Sequence, residues 1–129
     1  MRFSESLKKN RDFQLTYKKG KSYANRYLVM YARENGTSGN RLGISVSKKV
    51  GNSVVRHRIT RLVRESYRLQ EEHFRRGYDL IVIARGQAKD RSYHEIESAV
   101  IHLGKLHHIY SKDTQWDSSE TGNEMEMKR

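Results

Sequence analysis

Residues 78–85, Tyr-Asp-Leu-Ile-Val-Ile-Ala-Arg, form a near-continuous apolar run of strand length. A strand of this composition has no polar face to give to water, so it belongs inside a sheet that is covered on both sides. A second strand pattern precedes it. In Leu42–Ser47, Leu42, Ile44 and Val46 point one way, and Gly43, Ser45 and Ser47 the other. Between the two lies a helical pattern that opens at Gly51-Asn52-Ser53, takes Asn52 or Ser53 as N-cap, runs to about residue 74 and is closed off by Gly77. Strand, helix, strand in this order predicts a parallel pair joined by a crossover.

The flanking segments extend this unit. Residues 10–19 have a helical pattern in which Phe13 and Tyr17, four apart, share one face, and Gly20 is the stop. Tyr23–Arg33 reads as one strand, with Tyr23, Tyr27, Val29 and Tyr31 on one side and Ala24, Leu28, Met30 and Ala32 on the other. Asn35–Asn40 contains two glycines and reads as a hairpin loop. Ser92-Tyr93-His94-Glu95 is a capping-box pattern, and it opens a helix with Ile96, Val100, Leu103 and Leu106 on one stripe. The expected order is helix, strand, strand, helix, strand, helix: a two-layer α+β sandwich over residues 1–110. Residues 111–129 carry three basic and five acidic groups with Trp116 as their only aromatic residue, and read as a disordered polar tail.

The middle helix carries the chemistry. On a helical projection Val55, Ile59, Leu62, Val63 and Ser66 gather on one face, and Arg61, Arg64 and Arg68 on the opposite one. Arg56 and Arg58 flank the apolar stripe near the N-terminus, where Lys48 and Lys49 add charge beside the positive end of the helix dipole. Glu65 is the only acid among these five arginines, whereas a surface helix built for stability interleaves both signs. Unpartnered guanidiniums repel one another unless an anion lies over them, and arginine suits bidentate phosphate contacts. A solvated basic face that serves only solubility is the plainer alternative.

The whole chain has the same bias. It holds 26 Lys and Arg against 15 Asp and Glu in 129 residues, a formal charge of +11, and residues 1–110 alone carry +13. Polyanions are the natural partners of such a surface, nucleic acid before an anionic membrane. The absence of cysteine removes disulfides, thiolate metal sites and cysteine nucleophiles together. With no signal-peptide pattern after Met1-Arg2-Phe3-Ser4 and no apolar stretch of spanning length, the expected location is the cytoplasm and no membrane partner is expected.

Phe13, Tyr17, Tyr27 and Tyr31 make a second constellation. If the first helix packs beside the first strand, their rings line a groove floored by Gly43, Ser45 and Ser47. Single-stranded nucleic acid binds such a surface by stacking its bases on the rings while a basic rim holds its phosphates. The same spacing also suits rings that simply fill a core, and the pattern leaves both readings open.

Lys48-Lys49-Val50-Gly51-Asn52-Ser53-Val54-Val55-Arg56-His57-Arg58, continuing through Arg64-Glu65, resembles the signature of the bacterial ribonuclease P protein family. Lys8–Phe13 and Tyr17–Ser22 are similar to that family's opening helix, Leu42–Ser47 to its second strand and Tyr78–Arg85 to its later strand. The resemblance covers about residues 5–110. It departs from the pattern at His57, where the family usually has Asn, and at Thr60, where Lys is common.

The resemblance implies a division of labour. A catalytic RNA with bound Mg²⁺ hydrolyses the phosphodiester, and the protein binds that RNA and the single-stranded 5′ leader of precursor tRNA. By position, Arg56, His57, Arg58, Arg61, Arg64 and Arg68 would contact the RNA subunit. Phe13, Tyr17, Tyr31, Ser45, Ser47 and Lys48 would line the leader groove, and Lys49 and Asn52 would add phosphate contacts. The resemblance implies no catalytic or metal-ligating residue in the protein, no further protein partner, and a left-handed crossover against the usual rule.

Two other functions compete. An independent nuclease would draw on His57, His73, His94, His102, His107 and His108, but no metal-binding or nucleophile motif organises them. A general RNA-binding module or RNA chaperone would use the arginine helix equally well.

Overall fold

The computed structural model describes residues 1–113. The expected polar tail therefore lies, beyond residue 113, outside the described residues. Five strands form one sheet: β1 (Ser4–Ser6), β2 (Lys21–Ala24), β3 (Leu28–Glu34), β4 (Asn40–Ser45) and β5 (Tyr78–Ala84). The helices are α1 (Asn10–Lys19), α2 (Ser53–Gln70) and α3 (Tyr93–Leu106), with short 3₁₀ turns at Glu71–His73 and Gly86–Ala88. The mixed α+β class is as expected, but helices cover both faces of the sheet where two layers were expected.

The sheet order is β1-β4-β5-β3-β2. The most apolar strand, β5, takes the centre, parallel to β4 and antiparallel to β3. This corrects the hairpin expected at residues 35–40: β3 and β4 do not pair, because β5 lies between them. The connecting loop crosses the start of β5, where the Asn35 amide donates to the Gly77 carbonyl at 2.8 Å. Gly77 has φ +95°, and a Cβ there would lie 3.0 Å from the Thr37 carbonyl oxygen.

Two further expectations change. Tyr23–Arg33 is two strands rather than one. Asn25 breaks the run by accepting the Tyr27 and Leu28 amides on Oδ1 at 3.2 and 3.0 Å, an Asx-type turn that folds β2 back along β3. The edge strand β1 escaped the sequence pattern because its three residues have no periodicity to read. It is held parallel to β4, and the buried Glu71 carboxylate accepts the Arg2 and Phe3 amides at 2.7 and 3.1 Å.

The main core lies between one sheet face and the pair α2 and α3. Leu28, Met30, Ala32, Leu42, Leu80 and Val82 from the sheet meet Ile59, Val63 and Tyr67 of α2 and Ile96, Val100 and Leu103 of α3. Full burial of each large aliphatic side chain stabilises the fold by about 1.5–3 kcal/mol. The starts of both helices follow from their sequences, whereas α2 ends earlier than the expected residue 74. The Val55 amide donates to Asn52 Oδ1 at 3.0 Å, and Ser92 and Glu95 complete the expected capping box. α2 stops at Gln70, where a 3₁₀ turn takes the chain to the buried Phe74. The opposite sheet face is covered by α1, with the buried Leu7 just before it packed beside Gly43.

Candidate RNA interface

The α1 face of the sheet is built in three rows that follow from strand register. Arg41, Asp79 and Arg33 form the first row, Gly43, Ile81 and Tyr31 the second, and Ser45, Ile83 and Val29 the third. Asp12 and Phe13 of α1 sit over β4, and Thr16 and Tyr17 over β3, so the helix crosses the strands above the first two rows. The third row is only half-buried.

The first row fixes α1 in place. Asp79, with no side-chain exposure, accepts Arg33 Nη2 at 2.9 Å, Arg41 Nε and Nη2 at 2.8 and 2.7 Å, and Asn35 Nδ2 at 3.0 Å. Arg41 reaches on to Asp12 Oδ2 at 2.8 Å. The acid of α1 is thereby consumed inside the fold.

The second row places the rings. Phe13 lies against Gly43, where a Cβ would stand 2.7 Å from Cζ. Gly43 is therefore not open groove floor, as expected from sequence, but the seat of Phe13. Tyr17 follows with its ring centroid 6.4 Å from that of Phe13 and 5.0 Å from that of Tyr31, edge to face. Tyr17 remains 36% exposed, and burial followed by the neighbouring Tyr31 raises its phenol pKa above the usual value. Phe13, Tyr17 and Tyr31 thus form a wall beside a shelf made by Ser45, Ile83 and Val29. The contribution of Ile83 and Val29 was not read from the sequence. Val29 shared a predicted side with Tyr31, but Ile83 stood in an uninterrupted apolar run, and the pairing of β3 with β5 that brings the two together was not visible.

One residue expected in this groove lies elsewhere. Tyr27 sits in the turn before β3, packs against the main core and donates its hydroxyl to Glu95 Oε2 at 3.2 Å. Ser47, Lys48 and Lys49 lie past the end of β4, all exposed, in the turn that leads to α2.

The second candidate surface is α2, on the far side of the sheet. His57, Arg58, Arg61, Arg64 and Arg68 are exposed. Arg58 is steadied by a 2.9 Å bond from Nη2 to the Arg91 carbonyl. Arg56 is half-buried, and its Nε is enclosed without a hydrogen-bond partner among the described residues. Arg68 departs from the expected unpartnered row: its Nε donates to Glu65 Oε1 at 2.9 Å, and the bond and charge hold the Glu65 carboxyl below its usual range. Thr60 turns its hydroxyl back to the Arg56 carbonyl at 2.9 Å. The Asn52 oxygen is taken by the helix cap, so only its amide nitrogen can reach a phosphate.

The histidines are dispersed. His57 is on α2, His102 Nδ1 lies 3.2 Å from Asn25 Nδ2, and His107 Nε2 donates to the Met30 carbonyl at 2.8 Å. No three His, Asp or Glu side chains converge as a metal site among the described residues, and no helix there is long and apolar enough to cross a membrane.

Known proteins are similar to this chain in sequence and in fold. The family model described as Ribonuclease P matches residues 1–107. The ribonuclease P protein component of Lachnoclostridium phytofermentans is 60% identical over 108 residues, which span 84% of this chain and 93% of that protein. That of Clostridium botulinum strain Langeland is 53% identical over 106 residues, 81% and 96% of the two chains. Among solved structures, the Staphylococcus aureus RNase P protein superposes with a TM-score of 0.76 at 43% identity, covering 84% of this chain and 98% of that one. The RNase P protein from Thermotoga maritima gives 0.73 at 33% identity, covering 78% and 96%.

Proposed function

The chain belongs to the ribonuclease P protein family, and from that premise we propose that its two surfaces divide the work of the protein subunit of this tRNA-processing ribonucleoprotein. The arginine face of α2 binds the catalytic RNA. The ring-walled shelf beside α1 binds the single-stranded leader of precursor tRNA. The observation that carries this reading is the placement of the two surfaces on opposite faces of one sheet, which lets the protein hold both RNAs at once.

On the α2 side, Arg58, Arg61 and Arg64 supply guanidinium forks to phosphates, while Arg68 balances Glu65. On the α1 side, Tyr17 and Tyr31 offer ring surface to bases, Ser45 offers a hydroxyl, and Lys48 and Lys49 hold phosphates at the strand end. Asp12 and Asp79 are taken by arginines and are not free to hold Mg²⁺. Mg²⁺ would be held by the RNA subunit and its substrate, where it supplies the charge stabilisation of phosphodiester hydrolysis. This chain's residues contribute binding and orientation. The cytoplasm, where precursor tRNA is processed in bacteria, is the corresponding location.

The test is reconstitution of the full chain with a cognate ribonuclease P RNA and a precursor tRNA at low Mg²⁺. Leader removal by the mixture, and by neither component alone, is expected. RNA binding without stimulated cleavage would move the reading to a general RNA-binding module. Cleavage by the protein alone would make it a nuclease.

A further inference from the structure

We propose that the groove between α2 and the first turn of α3 is a receptor for one unpaired base of the partner RNA. The inference rests on the reading of α2 as the face that meets the catalytic RNA, and adds to it a site with a non-ionic component.

The groove is lined by Arg58, Arg61, Leu62, Arg64, Glu65 and Tyr93 and encloses about 510 Å³, within the usual range for ligand sites of about 300–1,000 Å³. Tyr93 is the first residue of α3, directly after the capping Ser92. Its hydroxyl donates to Glu97 Oε2 at 2.8 Å, and the same oxygen accepts Gln70 Nε2 from α2 at 3.4 Å. The ring is therefore tethered at its polar tip and held against α2.

The mixture of side chains selects the ligand. A phosphate alone would use the guanidiniums, leave Leu62 and Tyr93 uncovered and face the Glu65 carboxylate. A metal cation would meet three arginines. An unpaired nucleotide fits each part of the lining. Its base lies on Tyr93 and Leu62, a ring N–H or exocyclic amino group of that base donates to Glu65, and its flanking phosphates meet Arg58, Arg61 and Arg64. Structured RNAs present such splayed bases in loops and bulges, and proteins take them by stacking. Glu65 is paired with Arg68, and each carboxylate oxygen keeps a further lone pair that can accept from the base.

The probe is a cognate ribonuclease P RNA, bound by the full chain over a series of salt concentrations. Y93F keeps the ring and should bind within about twofold of the unaltered protein. Y93L keeps apolar bulk but removes the π-face, and should weaken binding about tenfold, as expected for one lost stack, with the salt slope unchanged. The R61A/R64A double variant, run in parallel, should reduce the slope. Chemical probing adds a second readout: one unpaired base of the RNA should be shielded by the unaltered protein and by Y93F, and reactive with Y93L. Equal affinity and equal shielding with Y93L would overturn the base receptor while leaving the α2 reading intact, provided R61A/R64A loses slope. If Y93F fails as Y93L does, the hydroxyl rather than the ring matters, and the proposal is wrong. An unchanged slope in R61A/R64A would remove the α2 reading itself.

Discussion

The ring of Phe13 rests on Gly43 so closely that a Cβ on that glycine would stand 2.7 Å from Phe13 Cζ and 2.8 Å from Cε1. Phe13 is one residue from Asp12, which Arg41 holds, so neither the ring nor the helix is free to retreat. Gly43→Ala should therefore overpack this seat, destabilising the protein by about 1–3 kcal/mol in urea unfolding and displacing Tyr17 from Tyr31. Leader-dependent binding should fall more than binding to the RNA subunit. An unaltered urea midpoint and unaltered leader affinity would show that the seat is softer than its geometry.

Tyr17 is the most exposed of the three wall rings and leans on Tyr31 only at its edge. Tyr17→Ala should weaken precursor tRNA by about 1–3 kcal/mol, the range for one stacked base, and leave mature tRNA untouched. Equal losses on the two ligands would return Tyr17 to a structural role.

Arg61 and Arg64 are exposed and stand on the face opposite the buried Ile59 and Val63. Their joint replacement by alanine should lower affinity for the RNA subunit. It should also reduce the slope of log affinity against log salt by about one unit per lost phosphate contact. Filter binding across a salt series reads both quantities, and a preserved slope would exclude phosphate contact by this pair.

Asp79 anchors two arginines from neighbouring strands at zero exposure. Asp79→Asn would leave both guanidiniums facing a neutral amide. Because each arginine side chain keeps about a quarter or less of its exposure (21% and 26%), solvent screens part of the loss. The expected destabilisation is about 2–4 kcal/mol, below the full effect of breaking a dry pair. A loss under about 0.5 kcal/mol, the range of an ordinary surface change, would show the cluster to be incidental.

Glu71 links pH to the docking of β1. Burial alone would raise its pKa, but bonds from the Arg2 amide, the Ser4 hydroxyl and the Phe3 amide, with the N-terminal charge, outweigh it and lower the value. A carboxyl depressed in the folded state stabilises the fold fully above its unfolded pKa, and that stability is lost as pH falls through the lower, folded value. The stability curve should therefore drop below about pH 4.5, and Glu71→Gln should flatten that limb while lowering stability at neutral pH. Identical acid limbs in the two proteins would place the linkage elsewhere.

Much of this molecule was legible in its sequence because local rules governed it. The period of 3.6 separated the buried Ile59 and Val63 from the exposed Arg61 and Arg64, and the Ser92–Glu95 box marked the start of α3. The apolar run at 78–85 announced a central strand, and the strand–helix–strand order gave the parallel pairing of β4 with β5. The excess of arginine on α2 pointed to a polyanionic partner.

Tertiary structure decided what depends on neighbours distant in sequence. Periodicity states which residues share a face, but not which strand lies beside which, so β5 entered between β3 and β4 where a hairpin was expected. Nor does it show what covers a face. Gly43 reads as open floor until Phe13 is seen on it, and Ile83 and Val29 become a shelf only because α1 stops short of their row. Tyr27 has the spacing of a groove residue, yet the Asn25 side chain turns the backbone beneath it and commits its hydroxyl to Glu95. The sequence by itself determined the elements, their buried sides and the sign of the partner's charge, since those follow from local hydrogen bonding and solvation. The order of the sheet, the seat of Phe13 and the meeting of Tyr93 with the α2 arginines were settled only by the packing of the whole chain, where one arrangement buries the apolar faces and satisfies Asp79 at the same time.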